Sequence, residues 1–135
     1  MKNLASSIRR VGIIANPEKP RCAALVRRAV RILRQADRKI ACETSTDTLV
    51  PGLCPTVASL GELAKSCDLL LVVGGDGTML RVAREIAGTS TPILGINAGN
   101  LGFLTAVRPD QMAESLKKVF AGRFVLEERA LLDAF

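Results

Sequence analysis

A chain of 135 residues is long enough for one compact domain with a buried core. Its residues are 48% apolar and 24% charged, ordinary for a soluble globular protein, and aromatics at 3% leave the core to Val, Leu, Ile and Ala, which favours buried parallel strands under helices over an aromatic-rich β-sandwich. The net charge is +6, and a sequence without histidine excludes Ser-His-Asp and Cys-His nucleophile systems and His-dependent zinc sites.

Ile8–Ala15 reads as a first strand, stopped by Asn16-Pro17. From Arg21 to Ala36 the apolar residues Cys22, Leu25, Val26, Ala29, Ile32 and Leu33 recur at helical spacing, with Arg27, Arg28, Arg31 and Arg34 largely opposite, so an amphipathic helix is predicted. Lys39–Glu43 is a short strand candidate. Thr44–Thr56, rich in Thr, Ser and Pro, reads as a loop, and Val57–Ser66 as a helix candidate. The continuous apolar run Leu69–Val73 marks a strand buried on both faces. It meets Gly74-Gly75-Asp76-Gly77 and passes straight into a helical stretch, Thr78–Ala87. Pro92–Asn97 is another strand, followed by a Gly-rich turn and the apolar segment Phe103–Val107. Pro109 opens a helix to Phe120, with Met112, Leu116, Val119 and Phe120 inward, ended by Gly122. The order β-α-β-(α)-β-α-β-β-α calls for an α/β fold with a doubly wound, mostly parallel sheet over residues 1–122.

Charge is unevenly spread: residues 1–40 hold eleven Lys/Arg and two acids (+9), and residues 41–135 hold eight and eleven (−3). No aromatic interleaves the arginines and no nucleic-acid motif accompanies them, so they read as a solvated helix face; a basic binding module without enzymatic activity is the alternative. Cys22, Cys42, Cys54 and Cys67 form no C-x-x-C pair and read as reduced, partly buried thiols. Met1–Arg10 lacks the apolar stretch of a signal peptide. The uncharged Gly88–Val107 is interrupted by four glycines, Pro92, Asn97 and Asn100, which spoil it as a membrane helix. The expectation is a cytoplasmic protein with neither membrane nor nucleic acid as partner.

Two segments carry chemistry. Gly74-Gly75-Asp76-Gly77-Thr78 lies at a strand-to-helix junction, where helix N-termini present free N–H groups to ligands. Glycines there let backbone approach a phosphate and reach dihedrals closed to other residues, and Thr78 can cap the helix or give its hydroxyl to a phosphate oxygen. Asp76 beside a phosphate cradle would repel the ligand unless it accepts a proton or holds Mg²⁺. Read blandly, Asp-Gly and Gly-Gly are turn dipeptides and Asp76 an ordinary cap. The turn is neither a Walker A loop, since no Gly-Lys pair occurs, nor a G-x-G-x-x-G fingerprint. The second segment, Ile96-Asn97-Ala98-Gly99-Asn100-Leu101-Gly102-Phe103-Leu104-Thr105, crowds glycines and amides at the end of a strand on the same edge. There Phe103 would either stack on a base or belong to the core.

GGDGT followed about twenty residues later by N-x-G-x-L-G-F-L-T resembles the NAD kinase family over essentially the whole chain. GGDGT alone is shared with diacylglycerol and sphingoid lipid kinases, and GGDG with 6-phosphofructokinases, so a lipid or sugar kinase is the alternative; the second segment narrows the resemblance to NAD kinases. It implies that Asp76 orients and deprotonates the 2′-hydroxyl of the adenosine ribose of NAD, with Gly74, Gly75, Gly77 and Thr78 around the phosphates. Leu80 and Phe103 would line the NAD pocket, Arg81 would reach a phosphate, and Asn97 and Asn100 would shape the second loop. No protein metal site is implied; Mg²⁺ would come with ATP, and inorganic polyphosphate is an alternative donor. The resemblance further implies an all-β domain carrying an Asn-Glu pair, of which residues 123–135 would be the first strand, and a homo-oligomer, dimer or tetramer, for the full-length protein. The 135-residue chain alone is expected to be inactive and to self-associate.

Overall fold

The computed structural model describes residues 8–99 and 107–122. In chain order the elements are β1 (Arg10–Ala15), α1 (Arg21–Gln35), β2 (Lys39–Glu43), α2 (Thr44–Leu49), β3 (Thr56–Val57), α3 (Leu60–Ser66), β4 (Leu69–Gly74), α4 (Asp76–Glu85), β5 (Ile93–Asn97), a 3₁₀ turn at Pro109–Gln111 and α5 (Met112–Phe120). All strands pair in parallel, in the order β3-β2-β1-β4-β5. This is the doubly wound sheet that the alternation of strand and helix patterns predicts.

Strand alternation divides the core into two layers. Val11, Ile13 and Ala15 of β1 and Leu69, Leu71 and Val73 of β4 point to one face, against Cys22, Val26, Ala29, Val30 and Leu33 of α1 and Met112, Leu116 and Val119 of α5. Ile14, Leu70 and Val72 point to the other, against Leu60, Leu63 and Ala64 of α3, Val82 of α4 and Ile86 at its C-cap. Burial on both faces is why β4 carries no polar position: each fully buried Leu or Val contributes roughly 1.5–3 kcal/mol over an exposed one. Gly12 lets α3 sit tight on β1, since a Cβ there would lie 2.7 Å from Leu70 Cδ2 and 2.8 Å from Leu63 Cγ.

Two local expectations change. Thr44–Leu49 is a six-residue helix within the stretch read as loop. Its Thr-rich sequence has poor helix propensity, but the buried Thr46 Oγ1 accepts a hydrogen bond from Ala15 N at 3.0 Å, a tertiary contact that outweighs local preference. The helix read from Val57 begins at Leu60, because Ser59 caps it, its hydroxyl accepting from Glu62 N at 3.2 Å; Thr56 and Val57 instead pair with Cys42 and Glu43 as an edge strand. Within Phe103–Val107, Val107 bridges Ile96 in parallel and accepts a hydrogen bond from Asn97 N at 2.8 Å, while residues 103–106 lie outside the described residues. So do residues 123–135.

The arginines of α1 are exposed, yet three of them brace the fold: Arg34 donates to Leu53 O at 2.9 Å, Arg28 to Pro109 O at 3.4 Å and Arg21 to Ala98 O at 2.9 Å. All four cysteines are free and buried. The Cys42 thiol, hydrogen-bonded to Cys54 and buried, is held protonated well above its ordinary range, whereas Cys54, on the other end of that bond and close to Arg34, is lowered. Burial pushes Cys22 and Cys67 up. No helix among the described residues is long and apolar enough to cross a membrane.

Candidate functional site

Adjacent parallel strands β1 and β4 send their following helices to opposite faces, α1 to one and α4 to the other. The crevice beyond their carboxyl ends is the topological switch point, where open α/β sheets bind ligands. The sequence places Gly74–Thr78 there, and β5 brings Asn97 alongside through the register pair Gly74↔Asn97. Ala98 N donates to Gly74 O at 2.9 Å, so the two segments are stitched into one surface. Asn97 is buried and closes its own turn, its Oδ1 accepting from Gly99 N at 2.9 Å.

Within the turn, Gly75 is the N-cap of α4 in extended conformation and Asp76 is the first helical residue, half-buried at the positive end of the helix dipole. The glycines here do not supply left-handed backbone: among described glycines only Gly52, Gly88 and Gly122 have positive φ. What the turn requires is close approach. A Cβ on Gly74 would fall 2.7 Å from Thr78 Oγ1 and 2.9 Å from Thr78 Cβ, so Thr78 packs directly over bare backbone. Thr78 is therefore a buried residue of the first helical turn, and Gly75 holds the capping position instead. A Cβ on the exposed Gly77 would meet nothing within 4 Å, which leaves the helix start open on that side.

Leu80 is half-buried on α4. Arg81, one turn past Asp76, directs its guanidinium to Glu43 Oε1 at 2.9 Å, with Glu85 at 3.9 Å. Glu43 is buried at the carboxyl end of β2 and also accepts from Ser45 Oγ, so Arg81 ties α4 to β2. Losing one partner of a wholly buried pair costs ~3–5 kcal/mol. Arg81 is 40% exposed and water screens it, so Arg81→Ala should cost about 1 kcal/mol in a urea melt, with Arg81→Lys recovering part of it. An unchanged midpoint for Arg81→Ala would show that the pair is no brace.

Asn100 and Phe103 lie outside the described residues. Sequence reasoning passed over three residues that the fold brings to this edge: Glu43, Lys19 and Arg21. Each follows or ends a central strand, and that position at the carboxyl edge was the available signal. A cleft of about 780 Å³ at the opposite, amino edge is lined by Arg9, Arg10, Arg38, Lys39, Asp37 and Asp68. Its four cations outnumber its two carboxylates, and it lies at the edge of the sheet opposite the glycine turn.

The family model described as ATP-NAD kinase N-terminal domain matches residues 11–124. The NAD kinase of Marinomonas sp. (strain MWYL1) is 40% identical over 129 residues, covering 96% of this chain and 44% of that protein. The NAD kinase of Teredinibacter turnerae is 37% identical over 128 residues, covering 95% of this chain and 44% of that protein. The chain thus spans less than half the length of these curated relatives. Among solved structures, the fold is similar to that of yeast NADH kinase complexed with NADH (TM-score 0.73, 20% identity, 86% of this chain and 39% of that one). It is also similar to an NAD kinase from Archaeoglobus fulgidus in complex with ATP (TM-score 0.58, 24% identity, 81% of this chain and 36% of that one).

Proposed function

This chain belongs to the ATP-NAD kinase family, and from that membership we propose that it is the N-terminal part of an NAD kinase, transferring the terminal phosphoryl group of ATP or inorganic polyphosphate to the 2′-hydroxyl of the adenosine ribose of NAD. The observation that carries the reading is the hydrogen bond joining the GGDGT turn to the Asn97–Gly99 loop at the switch point, which makes one surface of both motifs.

Asp76 is the base in this reading. Its carboxylate accepts the 2′-hydroxyl proton as the ribose oxygen attacks the terminal phosphorus. The bond from that phosphorus to its bridging oxygen breaks, and ADP, or polyphosphate one unit shorter, leaves. A carboxylate at a helix N-terminus is a weak base, which suffices where the transition state is loose and catalysis rests on positioning. Gly74, Gly75, Gly77 and Thr78 surround the phosphates and the attacking ribose, and Leu80 and Phe103 line the NAD pocket. Arg81 faces the phosphates from its Glu43 pair, while Asn97 and Asn100 shape the second loop. Mg²⁺ arrives on the donor nucleotide as part of the substrate. Glu43 is taken up by Arg81, which leaves the half-buried Asp76 as the carboxylate at this edge that would meet an ion held mainly by phosphate oxygens.

The full-length protein is proposed to be a cytoplasmic dimer or tetramer; four free thiols suit a reducing compartment. Kinship with the diacylglycerol, sphingoid and 6-phosphofructokinase enzymes is proposed as a shared turn serving a different acceptor hydroxyl. A protein joining this domain to the remainder that its relatives carry, offered Mg-ATP or polyphosphate with NAD, diacylglycerol or fructose 6-phosphate, should phosphorylate NAD alone. A phosphorylated lipid or sugar in its place would overturn the assignment.

A further inference from the structure

The loop joining β1 to α1 enters the same crevice. Asn16 N donates to Val73 O at 3.2 Å, tying the loop to β4 just before the glycine turn, and Arg21 donates to Ala98 O at 2.9 Å, tying it to the second loop. Between these anchors stands Lys19. A Cβ on Gly75 would lie 3.6 Å from its Nζ, and a Cβ on Gly99 3.5 Å, so one half-buried ammonium borders the bare backbone of both loops. Those are ordinary contact distances, so Lys19 does not itself require glycine at either place; the missing side chains leave room for a third body beside it. None of the four ion pairs among the described residues involves Lys19.

The same junction carries Asp76, whose negative charge opposes the approach of a polyanion. A lysine ammonium bordering both loops offsets it with a mobile point charge suited to phosphate oxygens. Resting on the NAD kinase reading of this site, we propose that Lys19 binds a phosphate group of the ligand at the switch point, with Arg21 positioning the second loop by holding the Ala98 carbonyl. The phosphate belongs either to the pyrophosphate of NAD or to the polyphosphate of the donor.

The test is titration of a protein joining this domain to the remainder that its relatives carry, as wild type, Lys19→Met, Lys19→Arg and Arg31→Met, with tripolyphosphate, ATP, NAD and adenosine. Arg31 is an exposed cation on α1 that removes the same net charge away from the crevice. Lys19→Met should weaken phosphate-bearing ligands about 10–100-fold, the scale of one lost hydrogen bond to a charged group, and leave adenosine unchanged. Lys19→Arg should retain most of the affinity, and Arg31→Met nearly all. Loss confined to NAD assigns the contact to its pyrophosphate; loss confined to ATP and tripolyphosphate assigns it to the donor. Equal weakening by Lys19→Met and Arg31→Met, or equal phosphate affinity of Lys19→Met and wild type, overturns the inference, as does a wild type that binds no phosphate ligand. The NAD kinase reading is judged separately, by which acceptor is phosphorylated.

Discussion

Asp76→Asn, in a protein joining this domain to the remainder of its relatives' length, is expected to lower kcat for NAD phosphorylation by ~10²–10⁴, the usual contribution of a positioned base. Asparagine keeps the shape of the side chain and an oxygen that accepts hydrogen bonds, but it takes no proton from a hydroxyl. Asp76 opens α4 with Gly75 as N-cap, so the exchange also gives up the favourable meeting of a carboxylate with the helix dipole, ~0.3–1 kcal/mol. The variant should therefore fold, with a slightly lower melting point, and bind NAD nearly as well as the parent. Turnover within about threefold of wild type would remove Asp76 from the chemistry. A large loss of NAD binding at preserved kcat would make it a ground-state contact instead.

What the sequence disclosed followed from the strength of its local signals. Leu69–Val73 had to be a central strand, because five consecutive apolar residues admit no solvated face, and β4 is buried throughout. Apolar spacing likewise determined α1 and α5, whose inward residues form the same layer of the core. Thr44–Leu49 was illegible because its helix depends on a hydrogen bond from Ala15, thirty-one residues away in sequence. The GGDGT turn was legible as a strand-to-helix junction, but the reason for its glycines was not: tight packing of Thr78 on Gly74 is a distance, and no dihedral preference in the sequence encodes it. Lys19 and Glu43 escaped notice because neither belongs to a motif, and only strand order brings them beside the turn. Arg81 stood one helical turn from Asp76 as spacing requires, yet its buried partner on β2 emerged only with the tertiary structure.

That distance at Gly74 leads to the other large effect. Gly74→Ala should destabilise the domain by ~1–3 kcal/mol, the range for overpacking a well-filled site, and in the joined protein it should depress kcat along with stability. The added Cβ would meet Thr78 Oγ1 at 2.7 Å, its Cβ at 2.9 Å and its Cγ2 at 3.3 Å. Thr78 cannot swing aside cheaply: it is β-branched on a helix, where few rotamers are open, and it is buried. Gly74 is also fixed from behind, since its carbonyl accepts Ala98 N at 2.9 Å and it pairs in register with Asn97. The relief must come from the first turn of α4, which carries Asp76, so a methyl group here should displace that carboxylate. A double-mutant cycle with Thr78→Ala isolates the contact. Removing Oγ1 and Cγ2 leaves only the Cβ clash, so Gly74→Ala should cost less in the Thr78→Ala background, by ~0.5–1 kcal/mol, within the span of coupling energies for touching residues. If denaturant melts show the two substitutions adding to within ~0.3 kcal/mol, Thr78 is not what keeps position 74 glycine. The cost would then have to come from the hydrogen-bonded seam with β5, and Asp76 should keep its place and its activity.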